Sequence, residues 1–299
     1  MLDWIAALTN QPTSRVFERL RKEHWDLGSN VREALLSRRL EPFVWSAGLS
    51  HFYRDSDAFL YENIAFNRTR AKVRMRAWIG AFLASRFPDG ARVLVYGDGA
   101  GFDSLYLAKA GHDVTYSEPG RLANAFARNL HAAEGQTVHL AAPGWTPSPE
   151  SYDAILCLDV LEHLPEPPST VLQLSRALRP HGVLIVHAPF FFLNRQCPTH
   201  LRSNLRFSGY CHALYGPAGL RAIGGRMFWD PIALERQSAE RLSMSAAPPS
   251  ATAHGRLWFG GLVLRLMQVC HRVPLRLVEL ALWRDRRELR RLFLRGGGV

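Results

Sequence analysis

The turn Gly97-Asp98-Gly99-Ala100-Gly101 follows an apolar run, Val93-Leu94-Val95-Tyr96, and Glu118 comes 21 residues after Gly97, at the end of a second β-like run, Val114-Thr115-Tyr116. Glycines let a turn approach a ligand without Cβ clashes. An acid at the tip of the next strand can accept hydrogen bonds from both hydroxyls of a ribose. Together they form the pattern of a nucleotide-type cofactor site at the carboxyl edge of a parallel sheet. The spacing is G-x-G-x-G, with Phe102 where a dinucleotide loop would place its last glycine, so a pyrophosphate seated on the helix N-terminus is not expected. No Gly-Lys-Ser/Thr follows, which excludes a P-loop. Asp98 and Asp103 suit a cationic or zwitterionic ligand better than a pyrophosphate.

A second constellation lies downstream. Residues 152–159, Tyr-Asp-Ala-Ile-Leu-Cys-Leu-Asp, read as a buried strand ending in a polar residue, and Val160-Leu161-Glu162-His163-Leu164-Pro165 follows directly. A helix near residues 168–178, a Pro180-His181-Gly182 turn and a strand over 183–187 complete the set. In this order the motifs resemble class I methyltransferases that use S-adenosyl-L-methionine, whose first motif reads V-L-D-x-G-x-G-x-G and whose fourth strand ends in a D-V-L-E-H-L-like run. The resemblance covers roughly residues 80–190, about a third of the chain. It implies an α/β fold with a Rossmann-like, doubly wound, seven-stranded, mostly parallel sheet. It also implies a cofactor held around Tyr96, Gly97, Asp98, Gly99, Gly101, Glu118, Pro119, Asp159 and Val160. Two departures stand out. Val95 occupies the place of the family's acid beneath the glycine loop, a loss that Asp98 or Asp103 would partly offset. No acid is evident after strand three, read over residues 137–140, so adenine would rest on backbone groups and apolar packing.

Methyl transfer from a sulfonium needs alignment and exclusion of water more than it needs acid–base help, although an oxygen or carbon acceptor calls for a base. His200 is the first candidate base and His187 the second. His163 is a third choice, since its Glu162-His163 pair more often shapes the loop in this family. For each, a structural or positioning role is an equal alternative. After strand five, Ala188-Pro189-Phe190-Phe191-Phe192-Leu193 suits the wall of an apolar pocket. Cys197, His200, Cys211 and His212 can also be read as metal ligands, but the adjacent Cys211-His212 pair is poor geometry for tetrahedral zinc, and no metal is expected. Four cysteines without paired C-x-x-C spacing read as reduced thiols.

These groups need elements to hold them. With 47% hydrophobic and 21% charged residues the chain is globular in composition. The charge is uneven: residues 91–190 carry a net −4, whereas residues 191–299 carry 17 Lys and Arg against 6 Asp and Glu. The expected organisation is a helical lid over 1–87, a cofactor-binding core over 88–244, and a linker with a basic amphipathic helical tail over 245–299. In the lid, residues 4–8, 16–20 and 31–40 have helical apolar spacing, and 59–87 read as one longer helix ending before Pro88-Asp89-Gly90. Trp45, His51, Phe52, Tyr53 and Tyr61 line the cavity or pack the lid's underside. In the tail, Trp258, Phe259 and flanking arginines suit packing on the protein's own core or in a homodimer first, and an anionic membrane surface second. Nucleic acid ranks last, as no RNA-binding module accompanies the basic residues. No secretory leader is apparent, because residues 1–8 are apolar but short and lack a basic start. The expected setting is the cytoplasm, with peripheral contact to the inner face of the membrane as an option. The function expected is methylation of a small or lipid-like, partly anionic acceptor at O, N or C. Two alternatives are a degenerate cofactor-binding partner subunit and an RNA methyltransferase.

Overall fold

The computed structural model describes residues 1–142, 144–208, 211–225 and 231–237. Six helices come first: α1 Leu2–Thr9, α2 Thr13–Trp25, α3 Ser29–Ser37, α4 Ala47–Asp55, α5 Ala58–Phe66 and α6 Arg70–Arg86. The alternating part follows as β1 Arg92–Tyr96, α7 Phe102–Lys109, β2 Asp113–Ser117, α8 Arg121–Ala133, β3 His139–Leu140, β4 Tyr152–Leu158, α9 Pro167–Ala177 and β5 Leu178–His187. Helix α10 Cys211–Tyr215 and strands β6 Leu220–Gly225 and β7 Ile232–Arg236 complete the described elements.

The seven strands form one sheet in the order β3-β2-β1-β4-β5-β7-β6. Pairing is parallel from β3 to β5 and antiparallel at β5–β7 and β7–β6. This is the doubly wound arrangement expected of the resemblance. The strand order reverses between β1 and β4, and ligands in such sheets bind beyond the carboxyl ends of those strands.

Alternate side chains of each strand feed opposite faces. Leu94, Ile155, Cys157, Leu184 and Val186 pack with Val171 and Leu174 of α9 on one side. Val93, Val95, Val114, Leu156 and Ile185 pack with Leu107 of α7 and with Met75, Ile79 and Leu83 of α6 on the other. Helix α6, grouped with the lid on sequence grounds, is therefore a covering layer of the sheet. Each such buried aliphatic side chain contributes about 1.5–3 kcal/mol relative to exposure. The remaining N-terminal helices dock on α7 and α8, where Ile5, Val16, Leu20, Tyr61 and Ile64 meet Leu105, Phe126 and Leu130.

Several local expectations change. The single helix read over 59–87 is two, because Thr69 is extended (φ −70°, ψ 149°) and its hydroxyl accepts from Lys72 N at 3.2 Å, capping α6. Strand three is only His139–Leu140, pairing with Thr115 and Tyr116. The turn read at Pro180-His181-Gly182 lies inside β5, where the pairing slips between Tyr152 and Ala154 and His181 takes φ 62°. The last two strands are Leu220–Gly225 and Ile232–Arg236. The edge strand was hidden by its mixed composition, Leu-Arg-Ala-Ile-Gly-Gly. Residues 238–299, including the basic tail, lie outside the described residues. Among the described residues no helix is long and apolar enough to cross a membrane.

Candidate active site

Beyond the carboxyl ends of β1 and β4 lies a cavity of about 530 Å³. Its floor is the glycine turn. Gly97 (φ 76°) donates its N–H to Ser117 O at 2.7 Å, and a Cβ there would stand 2.5 Å from Val160 Cγ2. Gly99 (φ 57°) would place a Cβ 2.6 Å from Asn63 Nδ2. Both positions combine left-handed backbone with no room for a side chain, so the turn requires glycine.

Glu118 braces this turn. One carboxylate oxygen accepts from Gly99 N at 2.9 Å and the other from Gly120 N at 2.8 Å. Burial pushes its carboxyl up from the usual range against these two bonds. Tyr116 adds a hydroxyl bond to Gly99 O at 2.6 Å. Tyr96, Gly97, Gly99, Glu118, Pro119, Asp159 and Val160 line the cavity, together with Ala141, Ala142 and Trp145 after β3. Asp98 and Gly101 do not line it. Asp98 instead caps α7, accepting from Asp103 N at 3.1 Å and Ser104 N at 2.7 Å. Burial and the neighbouring Asp103 raise its carboxyl to about 7.

An ion network joins α6 to the first turn of α7 and to the residue that follows β4. Lys72 of α6, 5% exposed at its side chain, reaches Asp103 at 3.0 Å and Asp159 at 3.3 Å. Arg76 Nε meets the other oxygen of Asp103 at 2.8 Å. Burial opposes ionisation of Asp103, but Lys72 and Arg76 outweigh it and hold the carboxyl low. Asp159, in the left-handed region at φ 58°, accepts from His187 Nδ1 at 2.5 Å. Burial again opposes its ionisation, and His187 and Lys72 overcome it. His187 thus stands against Asp159, outside the cavity lining. Lys72 escaped the motif reading. The available signal was its rarity, one of three lysines in an arginine-rich chain.

The far wall is built from distant segments. Trp45, Tyr53, Phe59 and Phe66 come from α4, α5 and the stretch before them, and Phe192 from the segment after β5. Tyr53 stacks on Phe59 with ring centroids 4.7 Å apart. Of the aromatics expected at the lid, Trp45 and Tyr53 line the cavity, whereas Phe52 and Tyr61 are fully buried in the helical layer and His51 is exposed. Of the apolar run after β5, Phe192 and Pro189 reach the cavity, while Phe190 packs into the core.

Polar groups concentrate beside this wall. Glu162, His163 and His200 all line the cavity. His163 Nδ1 lies 2.9 Å from Tyr53 Oη and 3.2 Å from Thr199 O. Burial lowers its imidazole to about 4, and burial with the neighbouring His163 lowers that of His200 further from its usual range. Burial, then Asp159, pushes the Glu162 carboxyl well up. Asn204, fully buried, clamps the loop by donating its amide to the carbonyls of Leu161, Glu162 and Leu164. Cys197 lines the cavity as a free thiol, and the side chains of Cys211 and His212 lie outside the described residues.

A family model described as a methyltransferase domain matches residues 66–213, beginning at the end of α5 and taking in α6. The ubiquinone biosynthesis O-methyltransferase of Aliivibrio fischeri is 33% identical over 117 residues, 38% of this chain and 48% of that protein. The enzyme of the same description from Alkalilimnicola ehrlichii is 34% identical over 121 residues, 38% of this chain and 46% of that protein. The chain thus spans about half the length of these curated relatives. Among solved structures, the Burkholderia thailandensis 1,6-didemethyltoxoflavin-N1-methyltransferase with bound S-adenosylhomocysteine is similar at 16% identity and TM-score 0.44, covering 66% of this chain and 94% of that one. With the glycine turn, the braced glutamate, the sheet order and the matched domain all in place, the chain belongs to the class I methyltransferases, whose cofactor is S-adenosyl-L-methionine.

Proposed function

We propose that the protein methylates an oxygen of a small, largely apolar acceptor, aromatic or lipid-like in its body. The observation that carries this reading is the cavity's division. One end is a glycine and carboxylate cradle at Gly97, Gly99, Glu118 and Asp159, and the other an aromatic wall of Trp45, Tyr53, Phe59 and Phe192. The glycine turn has no room for side chains, and Glu118 is positioned to exchange its backbone partners for ribose hydroxyls; these features fit the cofactor. When bound, the cofactor supplies an electrophilic methyl on sulfur with a neutral thioether as leaving group.

The chain's own residues then have three tasks. The aromatic wall binds the acceptor body by burial and stacking and keeps water from the reacting oxygen. The wall formed by Glu162, His163 and His200 faces the acceptor's hydroxyl and draws off its proton, with His200 the first residue assigned that role. His187 acts one step back, holding Asp159 at the cradle's edge. The aromatic character of the pocket supports an apolar acceptor, and the names of the partial relatives support oxygen as the accepting atom.

The test is transfer of labelled methyl from S-adenosylmethionine in a cell extract, followed by organic extraction. The expected label is in an extractable product, lost on mild demethylation of aryl or alkyl ethers and insensitive to ribonuclease. Label confined to nucleic acid or protein would overturn the reading.

A further inference from the structure

We propose that Glu162, His163 and His200 form a binding site for a divalent transition-metal ion of the zinc type, at the acceptor end of the cavity. One ligand atom from each of the three lies within 4.8 Å of the others. The set Cys197, His200, Cys211 and His212, set aside on sequence grounds for its poor tetrahedral geometry, shares only His200 with this cluster.

The polar groups left without partners carry the argument. Glu162 is 1% exposed, and neither carboxylate oxygen has a hydrogen-bond partner on any other described residue. His200 is 6% exposed and its Nδ1 is also unpartnered. A buried carboxyl with no hydrogen-bond partner is costly for a fold to keep. A fold retains such a group where something outside the chain satisfies it. Among the described residues no cationic side chain hydrogen-bonds to Glu162 or forms an ion pair with it: Lys72, near enough to act on it electrostatically, is committed to Asp103 and Asp159.

The histidines are oriented as metal ligands are. A ligating imidazole gives its outer N–H to a backbone carbonyl or carboxylate, which fixes the tautomer and turns the other nitrogen inward. His163 Nδ1 lies 3.2 Å from Thr199 O, which leaves Nε2 for the cavity. The backbone of Phe192 accepts from the His200 ring, which leaves the unpartnered Nδ1. The main chain beneath is equally fixed, since Glu162 O accepts from Leu201 N at 3.0 Å and from the Asn204 amide at 3.2 Å.

Two imidazoles and one carboxylate select a borderline cation over magnesium or calcium, which prefer all-oxygen shells. Three protein ligands are the complement of a catalytic zinc site, with the fourth position left to water or substrate. The present spread exceeds the edge of a zinc tetrahedron, roughly 3.3 Å for bonds of about 2.0 Å, so binding draws the three groups together. All three line the cavity, and the open position therefore faces the acceptor space. A hydroxyl bound there would lose its proton at lower pH, as metal-bound water does, and with the ion in place His200 would act through the metal and not as the base itself. That last role rests on the oxygen-acceptor reading above; the binding of the cation does not.

The experiment is calorimetry of the full chain with Zn²⁺ after chelator treatment, paired with the visible spectrum of the Co²⁺-loaded protein. We expect one Zn²⁺ per chain and ligand-field bands of a four- or five-coordinate ion without a thiolate charge-transfer band. Glu162→Gln and His200→Gln should each weaken Zn²⁺ at least tenfold, whereas the double variant Cys211→Ser, His212→Gln should bind like the parent. Binding of S-adenosylhomocysteine by each variant reports that it is folded. Should Glu162→Gln not fold, the His200 variant and the parent's Co²⁺ spectrum decide alone. A parent that binds no Zn²⁺, a thiolate band, or binding lost in the Cys211/His212 variant but kept in Glu162→Gln would overturn the inference. A chain that binds Zn²⁺ yet methylates no hydroxyl keeps this inference and loses the functional reading. One that methylates a hydroxyl with no metal bound does the reverse.

Discussion

The two ends of the cavity are built in different ways. The end proposed to hold the cofactor is lined mainly by short runs at the tips of adjacent strands: Gly97 and Gly99 after β1, Glu118 after β2, Asp159 after β4. Its key contacts are to backbone, such as Gly99 N and Gly120 N on Glu118. The acceptor end gathers side chains from α4, α5, the loop after β4 and the segment after β5, and its contacts are between side chains, such as Tyr53 on Phe59 and on His163. A site made from backbone and local spacing tolerates little change. A site made from side chains on separate elements can be recast without disturbing the fold, and that is where specificity would reside.

Four measurements would break or sharpen this contrast, from the largest effect down. Lys72→Met leaves Asp159 paired with His187 alone and removes one of two cations from buried Asp103. Urea unfolding should show a loss of about 3–5 kcal/mol; a loss below about 1 kcal/mol would mean that the network does not support the cofactor end. Glu118→Ala removes two charge-assisted bonds within the turn and the acceptor for the ribose. Affinity for S-adenosylhomocysteine should fall about 100-fold, corresponding to roughly 2–3 kcal/mol, while acceptor affinity stays near the parent's.

The third measurement addresses the lid. Glu62 of α5 lines the cavity near Glu23 and Arg32, and burial together with Glu23 raises its carboxyl to about 8 from 4.5. Its folded-state value lies above its unfolded one, so its contribution to stability is complete below pH 4.5 and is lost as pH rises through about 8. Glu62→Gln, which resembles the protonated form, should flatten that decline and be the more stable protein at pH 8, by on the order of 2 kcal/mol after solvent screening. Parallel curves for the two proteins would contradict the assignment. The smallest effect is Phe59→Ala. Acceptor KM should rise about tenfold, roughly 1.4 kcal/mol of lost stacking and burial, with cofactor affinity unchanged within about twofold.

The same contrast explains what the amino-acid sequence discloses. The glycine turn, Glu118, Asp159 and the parallel core were legible because consecutive residues build them and hydrophobic period marks their strands. Lys72 was not, because its partners Asp103 and Asp159 lie 31 and 87 residues away and no local pattern joins α6 to the underside of β4. Asp98 was placed with the ligand by its position between glycines, yet its carboxylate turns to cap α7. At the acceptor end His200 was legible as a candidate, but its neighbours were not. Glu162 and His163 belong to a motif that read as loop-shaping; Tyr53 was named among the lid aromatics without a choice between cavity and packing, and Phe59 lies on a helix whose packing only the folded chain reveals.

The central claim is that one cavity holds the cofactor at the Glu118 end and leaves space for an acceptor at the other. A crystal structure with S-adenosylhomocysteine tests it most directly. The account predicts ribose hydroxyls on Glu118 and the sulfur opening onto free volume walled by Tyr53, Phe59, His163, Phe192 and His200. A sulfur turned away from that wall, or a cavity left with no room beside it, would contradict the account.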